Sequence, residues 1–346
     1  MEGKINDIKT VIKVEWNKIA IGQSNLCQTY EWALANRDIG KEPLFIAVEG
    51  GNEILGGWLV FNTSLKVFPS SLTRGIIIPS EPIIIGEEKR LTILDKLWDT
   101  LSSLDPIYIN WLNKANCKWK DKEFLEAKGF NEIIKYGSHV LDLQKSEVEL
   151  WNNIHGKHRN VIRKAEKEGV IVEESDDIGS YFCLSEQTYK RSGKNGPSYK
   201  YLHKLYNLFN PDRMCRIYFA RDGDRLVSGA FIVACGERVT YLYGATCDDP
   251  PTGSSNYLHW EIIKRIKCES YRWYDFGGVS LDEKAEDKAK GISMFKERFG
   301  GDLQVFWGGN KICSPFRKKV LDKVVQPLLT IPRYLYDQSK RRPFSN

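Results

Sequence analysis

Residues 45–61 read FIAVEGGNEILGGWLVF, and residues 217–233 read IYFARDGDRLVSGAFIV. Each is an apolar run, a turn containing glycine, and a second apolar run interrupted by small residues. That is the pattern of a β-hairpin with buried strands. Gly57 matches Gly229 once the second turn is allowed one extra residue. A glycine inside a strand leaves room for a bulge or for the close approach of another group.

The surroundings of the two hairpins repeat as well. Helical patterns near Gln28–Asn36 and over Ser180–Leu208 precede them. Each is followed by another strand, a helix and a strand. These helices are expected near Lys89–Ser103 and Tyr257–Glu269, and the later strands near Ile107–Leu112 and Arg272–Phe276. Similarity spaced by a whole domain length predicts duplication, not a solenoid. The order of helices, meander and β-α-β resembles the GNAT acyltransferase fold in tandem. The expected class is α/β, of the α+β kind, with mixed central sheets flanked by helices. The expected division is 1–145, 146–313 and a basic tail over 314–346 that packs back on the first domain. At the boundary, a strand over Ser138–Leu143 gives way to one charged helix, Glu147 to Glu168, stopped by Gly169. No heptad run is sustained enough for a coiled-coil arm.

Composition sets the class. The chain has 346 residues, enough for two domains, with 42% hydrophobic and 12% aromatic residues, as in ordinary soluble proteins. No apolar run has the length of a membrane span, and the first residues lack a hydrophobic signal core, so the expected location is the cytoplasm. The eight cysteines include no CxxC pair and read as free thiols. His155 and His158 lack a second ligand pair, so no metal site is expected. The net charge of +6 is localised. From Arg317 to Asn346 eight Lys/Arg face two Asp/Glu, while the remaining 43 Lys/Arg and 43 Asp/Glu cancel. With Val320, Leu321, Val324, Leu328, Leu329 and Ile331 interspersed, the tail reads two ways. One is a basic amphipathic segment at the inner face of an anionic membrane. The other, favoured by the interruptions at Pro327 and Pro332, is an apolar side packed on the first domain.

The chemistry is expected around Tyr274-Asp275-Phe276-Gly277-Gly278 and Phe295-Lys296-Glu297-Arg298-Phe299-Gly300-Gly301. A buried strand ends in two glycines, where no side chain blocks a ligand. Phe295 and Phe299 lie one helical turn apart and would anchor Lys296 between them. A fixed ammonium suits a developing oxyanion; the plain alternative is a lysine capping a helix end. The charged loop Ser280–Lys290 reads as a flap or a solvated loop. Tyr241 and Tyr243 alternate along one strand and are expected on one side of it, lining the site or the core. Arg191 stands at a loop mouth, where a guanidinium grips phosphate or carboxylate, or makes a surface ion pair.

Five motifs in order resemble those of the Fem family. They are Gln28-Thr29-Tyr30-Glu31-Trp32, the run His158–Val170 (HRNVIRKAEKEGV), Thr188–Gly193 (TYKRSG), and the DFGG and FKERFGG runs already quoted. The resemblance spans nearly the whole chain. It implies two GNAT-like domains and transfer of an aminoacyl group from charged tRNA to an amine of a peptide-like cell-wall precursor. No cofactor is implied beyond the tRNA donor. The precursor is nucleotide-linked or lipid-linked. The resemblance implies a catalytic Lys296 near acceptor phosphates or the tRNA 3′ end, and Arg191 on the acceptor. It places a basic residue after Trp32, where this chain has Asn36 followed by Arg37. Arg159 and Arg163, at helical spacing on one face, read as tRNA or phosphate contacts or as a solvated face, and Arg298 is expected with them. Tyr241, Tyr243, Gly277 and Gly278 are expected at the substrate. Asn110 stands where many relatives carry an acid, so a carboxylate base is not expected there. The alternative is an acyl-CoA-dependent N-acyltransferase acting on an amino sugar or polysaccharide precursor, with Pro251–Asn256 as its phosphate loop. A third reading is a duplicated binding protein without catalysis.

Overall fold

The computed structural model describes residues 1–6, 10–51, 53–65, 68–112, 121–281 and 287–325. The centre of the candidate flap, 282–286, and the tail beyond 325 lie outside the described residues, as does Cys117. The strands are β1 (Glu2–Asn6), β2 (Glu42–Gly50), β3 (Glu53–Asn62), β4 (Gly75–Ile78), β5 (Ile83–Ile84), β6 (Tyr108–Trp111), β7 (Glu132–Asp142), β8 (Ile171–Ser175), β9 (Cys215–Asp222), β10 (Arg225–Cys235), β11 (Arg238–Thr246), β12 (Trp273–Ser280) and β13 (Asp302–Ile312). The helices are α1 (Lys13–Gly22), α2 (Tyr30–Arg37), α3 (Ser70–Thr73), α4 (Arg90–Ser102), α5 (Lys122–Ala127), α6 (Glu147–Asn153), α7 (Gly156–Lys167), α8 (Ile178–Ser192), α9 (Tyr199–Phe209), α10 (Ser254–Cys268), α11 (Asp287–Glu297) and α12 (Pro315–Val320).

Both hairpins form, and they match down to an irregularity. The β2–β3 register skips Leu55, two residues before Gly57, and the β9–β10 register skips Val227, two residues before Gly229. The extra residue turns each strand so that its glycine faces a helix. A Cβ at Gly57 would lie 2.5 Å from the Trp16 ring on α1, and one at Gly229 3.2 Å from Tyr181 on α8. The glycines therefore admit a helix onto the sheet, not a ligand. After each hairpin comes the expected parallel pair, β4 with β6 and β11 with β12.

Among the described residues the strands form one mixed sheet, ordered β1-β2-β3-β4-β6-β13-β7-β12-β11-β10-β9-β8, with β5 on β3. The halves exchange strands at its centre. β7 pairs with β12 of the second half, and β13 returns to pair with β6 of the first. The burial pattern follows. On one face a single core joins α1 and α2 to α8 and α9, with Trp16, Trp32, Phe45, Tyr181, Tyr201 and Phe231 buried in it. On the other face each half keeps its own core, one under α4 around Trp58 and Trp111, the other under α7 and α10 around Tyr218 and Tyr274.

One expected helix is broken, and the helical region over Ser180–Leu208 divides at the turn beside Arg191. The helix expected over Glu147–Glu168 ends at Asn153 and restarts at Gly156. His155 caps the restart by accepting the Lys157 amide at 3.2 Å, and Arg159 donates to the carbonyls of Asn152 and Ile154, which the break exposes. Gly169 does end the second piece, at φ +84°. The helical region over Ser180–Leu208 stops at Gly193, φ +64°, and resumes after Pro197 with Ser198 as its cap. The strand expected over Ser138–Leu143 begins earlier, at Glu132.

Candidate active site

The site forms where two parallel strands part. β11 and β12 are paired only through Arg238↔Trp273, Val239↔Tyr274 and Thr240↔Asp275. Beyond that point each strand is irregular. The β10–β11 register skips Leu242, and the β12–β7 register gains a residue between Asp275 and Gly278. Gly277 occupies the turn at φ +70°, where a Cβ would lie 2.8 Å from the Tyr241 carbonyl oxygen, so glycine is required by both conformation and space. The parted strands open a cleft of about 680 Å³. Thr240, Tyr241, Leu242, Tyr243, Gly277, Gly278 and Lys296 line one side; Trp32, Asn36, Lys41, Phe61, Ile77 and Pro79 of the first half line the other. Tyr189, Tyr201 and the loop Asn195–Ser198 complete the wall.

Lys296 lies in the last turn of α11, 9% exposed, and does not cap its own helix. Its Nζ donates across to the carbonyls of Gly277 at 3.1 Å and Gly278 at 2.8 Å. Phe299 is fully buried against Phe276, ring centroids 4.9 Å apart, and against Phe295 at 5.3 Å. Burial pushes the Lys296 ammonium down to about 8, against the pull of Asp275. Two buried histidines pack on the same aromatic rings. Burial, with the positive charge of Lys296, holds His259 down to about 3; burial, with Arg298, holds His158 down to about 4. Both rings are therefore neutral at pH 7.

Behind Gly277 lies an ion pair that the sequence reading did not find. Asp275 and Arg238 are almost fully buried and meet at 2.9 Å. Asp275 also accepts the Gly277 amide at 2.8 Å and the Ser138 hydroxyl. Arg238 reaches Gln304 on β13 at 3.4 Å. The only signal was a carboxylate inside the apolar run Tyr274–Phe276, which asks for a buried partner.

The other candidates divide. Tyr241 and Tyr243 both border the cleft, but not from one side of the strand. The skipped Leu242 inverts the alternation. Tyr241 packs on His259 at 4.3 Å, under α10, and Tyr243 packs on Phe231 at 6.1 Å, in the core under α8 and α9. Burial pushes both phenols up. Asn36 is buried in the cleft wall, donating to the Trp32 carbonyl at 3.0 Å. Arg37 is half-exposed beside Asp38 at 3.8 Å and does not line the cleft. The cation at that end is Lys41, 3.5 Å from the Asn36 amide oxygen. Trp32 serves both the core and the wall. Asn110 pairs with Ile77, a wall residue, but is not itself on the wall.

Arg191 ties α8 to the end of β11, donating to Thr246 at 2.7 Å and to Asp248 at 2.5 Å, and is not on the cleft wall. Arg159 serves the helix break described above. The Arg163 guanidinium lies 5.1 Å from the Trp151 ring centroid. Arg298 is partly exposed, and its backbone carbonyl accepts the His155 amide at 2.8 Å. Among the described residues no group of His, Cys, Asp or Glu could hold a metal ion, and no helix is long and apolar enough to cross a membrane.

Comparison with known proteins bears on this geometry. The family described as acetyltransferase (GNAT) domain matches residues 153–288. A lipid II:glycine glycyltransferase of Staphylococcus saprophyticus is 20% identical, over 80% of this chain and 85% of its own length. The crystal structure of FemX superposes with a TM-score of 0.69 at 16% identity, covering 94% of this chain and 100% of that one. A tandem GNAT protein from the clavulanic acid pathway superposes with a TM-score of 0.52 at 10% identity, covering 89% of this chain and 98% of its own. The tandem GNAT-like fold expected from the two hairpins is the fold found.

Proposed function

We propose that this chain, a member of the Fem family with a GNAT-like fold, is an aminoacyltransferase that uses aminoacyl-tRNA as donor and an amine on a peptide-bearing cell-wall precursor of the lipid II type as acceptor. The amine nitrogen bonds to the ester carbonyl carbon of the donor. The carbonyl oxygen becomes an oxyanion. The bond to the ribose oxygen then breaks, and that oxygen leaves with the proton the amine gives up. The observation that carries the reading is Lys296, an ammonium fixed by two glycine carbonyls at the wall of a cleft that both halves line. A charge held there needs little rearrangement to meet the oxyanion.

The acyl-CoA alternative would use the opening turn of α10 to cradle a pyrophosphate. The packing weighs against it. A Cβ at Gly253 would lie 2.2 Å from the Val161 carbonyl oxygen of α7, and the Ser255 hydroxyl is engaged with Ser228 at 2.9 Å. The deciding experiment follows radiolabel from charged tRNA, or from acetyl-CoA, to muramyl-pentapeptide acceptors. We expect transfer from tRNA alone. Transfer from acetyl-CoA without tRNA would replace this reading with the alternative.

A lipid-linked acceptor also gives the basic tail a use. Phe316 is 78% exposed and Val324 52% exposed, beside Lys319 and Lys323 on the last described turns. The protein is expected to co-sediment with phosphatidylglycerol vesicles at low salt and to be released by high salt. Equal binding to phosphatidylcholine vesicles, or none to either, removes the membrane role.

A further inference from the structure

Asp275 makes its contacts through three strands and none to solvent. One carboxylate oxygen accepts the Gly277 amide at 2.8 Å and the Ser138 hydroxyl of β7, and the other accepts Arg238 of β11 at 2.9 Å. The Gly277 carbonyl lies 3.1 Å from the Ser138 hydroxyl and 3.1 Å from Lys296 Nζ. A glycine at φ +70° has no side chain to hold its conformation, so the amide contact and the carbonyl contacts must do so. The carboxylate thus stands two residues before the first of the carbonyls that seat the ammonium.

The charges around Lys296 are few. Asp275 approaches from β12, His139 from β7 and His259 from α10; Tyr241 lies under α10, and Glu297 and Arg298 follow Lys296 at the end of α11. Burial pushes His139 down as it does His259, so both rings are neutral at pH 7. Arg238 balances Asp275. What remains on this side of the cleft is the positive charge of Lys296, seated by a turn that Asp275 holds, with Lys41 on the opposite wall.

We propose that Asp275 is a positioning residue for Lys296, holding the Gly277–Gly278 turn so that its carbonyls fix the ammonium at the cleft wall. The proposal rests on the reading of Lys296 as the group that meets the oxyanion.

The test uses the full chain and two readouts. The first is the titration of Lys296 itself, followed by competitive acylation with acetic anhydride across pH and mass spectrometry of the modified peptide. The second is the aminoacyl-transfer assay, with kcat separated from KM for the acceptor. In Asp275→Asn, the Lys296 labelling rate at pH 7 should rise about threefold or more, because the charge that favours the ammonium is gone. The kcat should fall about 10-fold or more with acceptor KM little changed. Wild-type labelling together with wild-type kcat overturns the proposal. If Asp275→Asn does not fold, the double variant Asp275→Asn/Arg238→Gln removes both charges of the pair and is assayed for kcat instead. A 10-fold loss there upholds the proposal and a wild-type value overturns it. If the wild-type protein itself transfers nothing from charged tRNA, the functional reading fails. The labelling experiment still decides whether Asp275 governs Lys296.

Discussion

Lys296→Met is expected to lower kcat by about 100- to 1,000-fold while leaving the urea midpoint at or above that of the wild type. The rate loss follows from removing a preorganised charge from the cleft wall. Methionine keeps the length of the side chain between Phe295 and Phe299 and removes only the ammonium. Of the two glycine carbonyls, that of Gly278 belongs to an exposed residue, and that of Gly277 lies 3.1 Å from the Ser138 oxygen, whose one proton it shares with Asp275. The stability half of the prediction follows from the sign of the proton affinity. Folding pushes Lys296 from the ordinary lysine value of 10.5 down to about 8. Below pH 8 the lysine is charged in both states and the folded protein bears the whole burden of burying it, about 3 kcal/mol. Between pH 8 and 10.5 only the unfolded chain holds the proton. The wild type therefore gains stability as pH rises through that window, and the methionine variant does not. The same titration shapes catalysis. An oxyanion needs the charged form, so wild-type kcat should decline as pH rises past about 8. A variant that keeps wild-type turnover, or a wild-type rate that climbs steadily above pH 8, would remove Lys296 from the role given to it.

The neighbourhood of Lys296 was legible because its two motifs are local, phenylalanines flanking the lysine in sequence and paired glycines interrupting an apolar strand. That the lysine would reach across to the glycine carbonyls was not. The tandem architecture was legible for a similar reason, since period-2 hydrophobicity and turn glycines recur in order around Gly57 and Gly229. What escaped detection depends on registers and partners. The bulges at Leu55, Val227 and Leu242 fall on ordinary apolar residues, and nothing in a leucine or valine announces that it will be skipped. That is why Tyr241 and Tyr243 were expected on one side and are found on two. The exchange of β7 and β13 is silent too: alternation tells which face a strand buries, not which strands it lies between. The helix break at Asn153 was hidden because the residues beyond it resume a helical pattern. The resemblance places a basic residue after Trp32, and Arg37 is the residue expected there. The chain instead turns after α2, at Gly40, φ +86°, and brings Lys41 to Asn36.

The ion pair of Arg238 with Asp275 carries the other large effect, one of stability. Arg238→Met is expected to cost about 3–5 kcal/mol in urea unfolding. The reason is the charge left behind. Asp275 would keep the Gly277 amide and the Ser138 hydroxyl but would be an anion in an apolar strand without its counter-charge. A second arginine pair provides the control. Arg317 grips Asp105 with both nitrogens, at 2.6 and 2.7 Å, better geometry than the 2.9 Å of the buried pair. Asp105 is exposed, however, so water replaces the lost partner, and Arg317→Met should change stability far less than Arg238→Met. Distance alone would rank the two substitutions the other way; burial decides between them. The double variant Arg238→Met/Asp275→Asn should recover part of the loss, because no net charge then remains inside the sheet. Equal effects at Arg238 and Arg317, or no recovery in the double variant, would mean that the pair is solvated and does not brace the floor of the cleft.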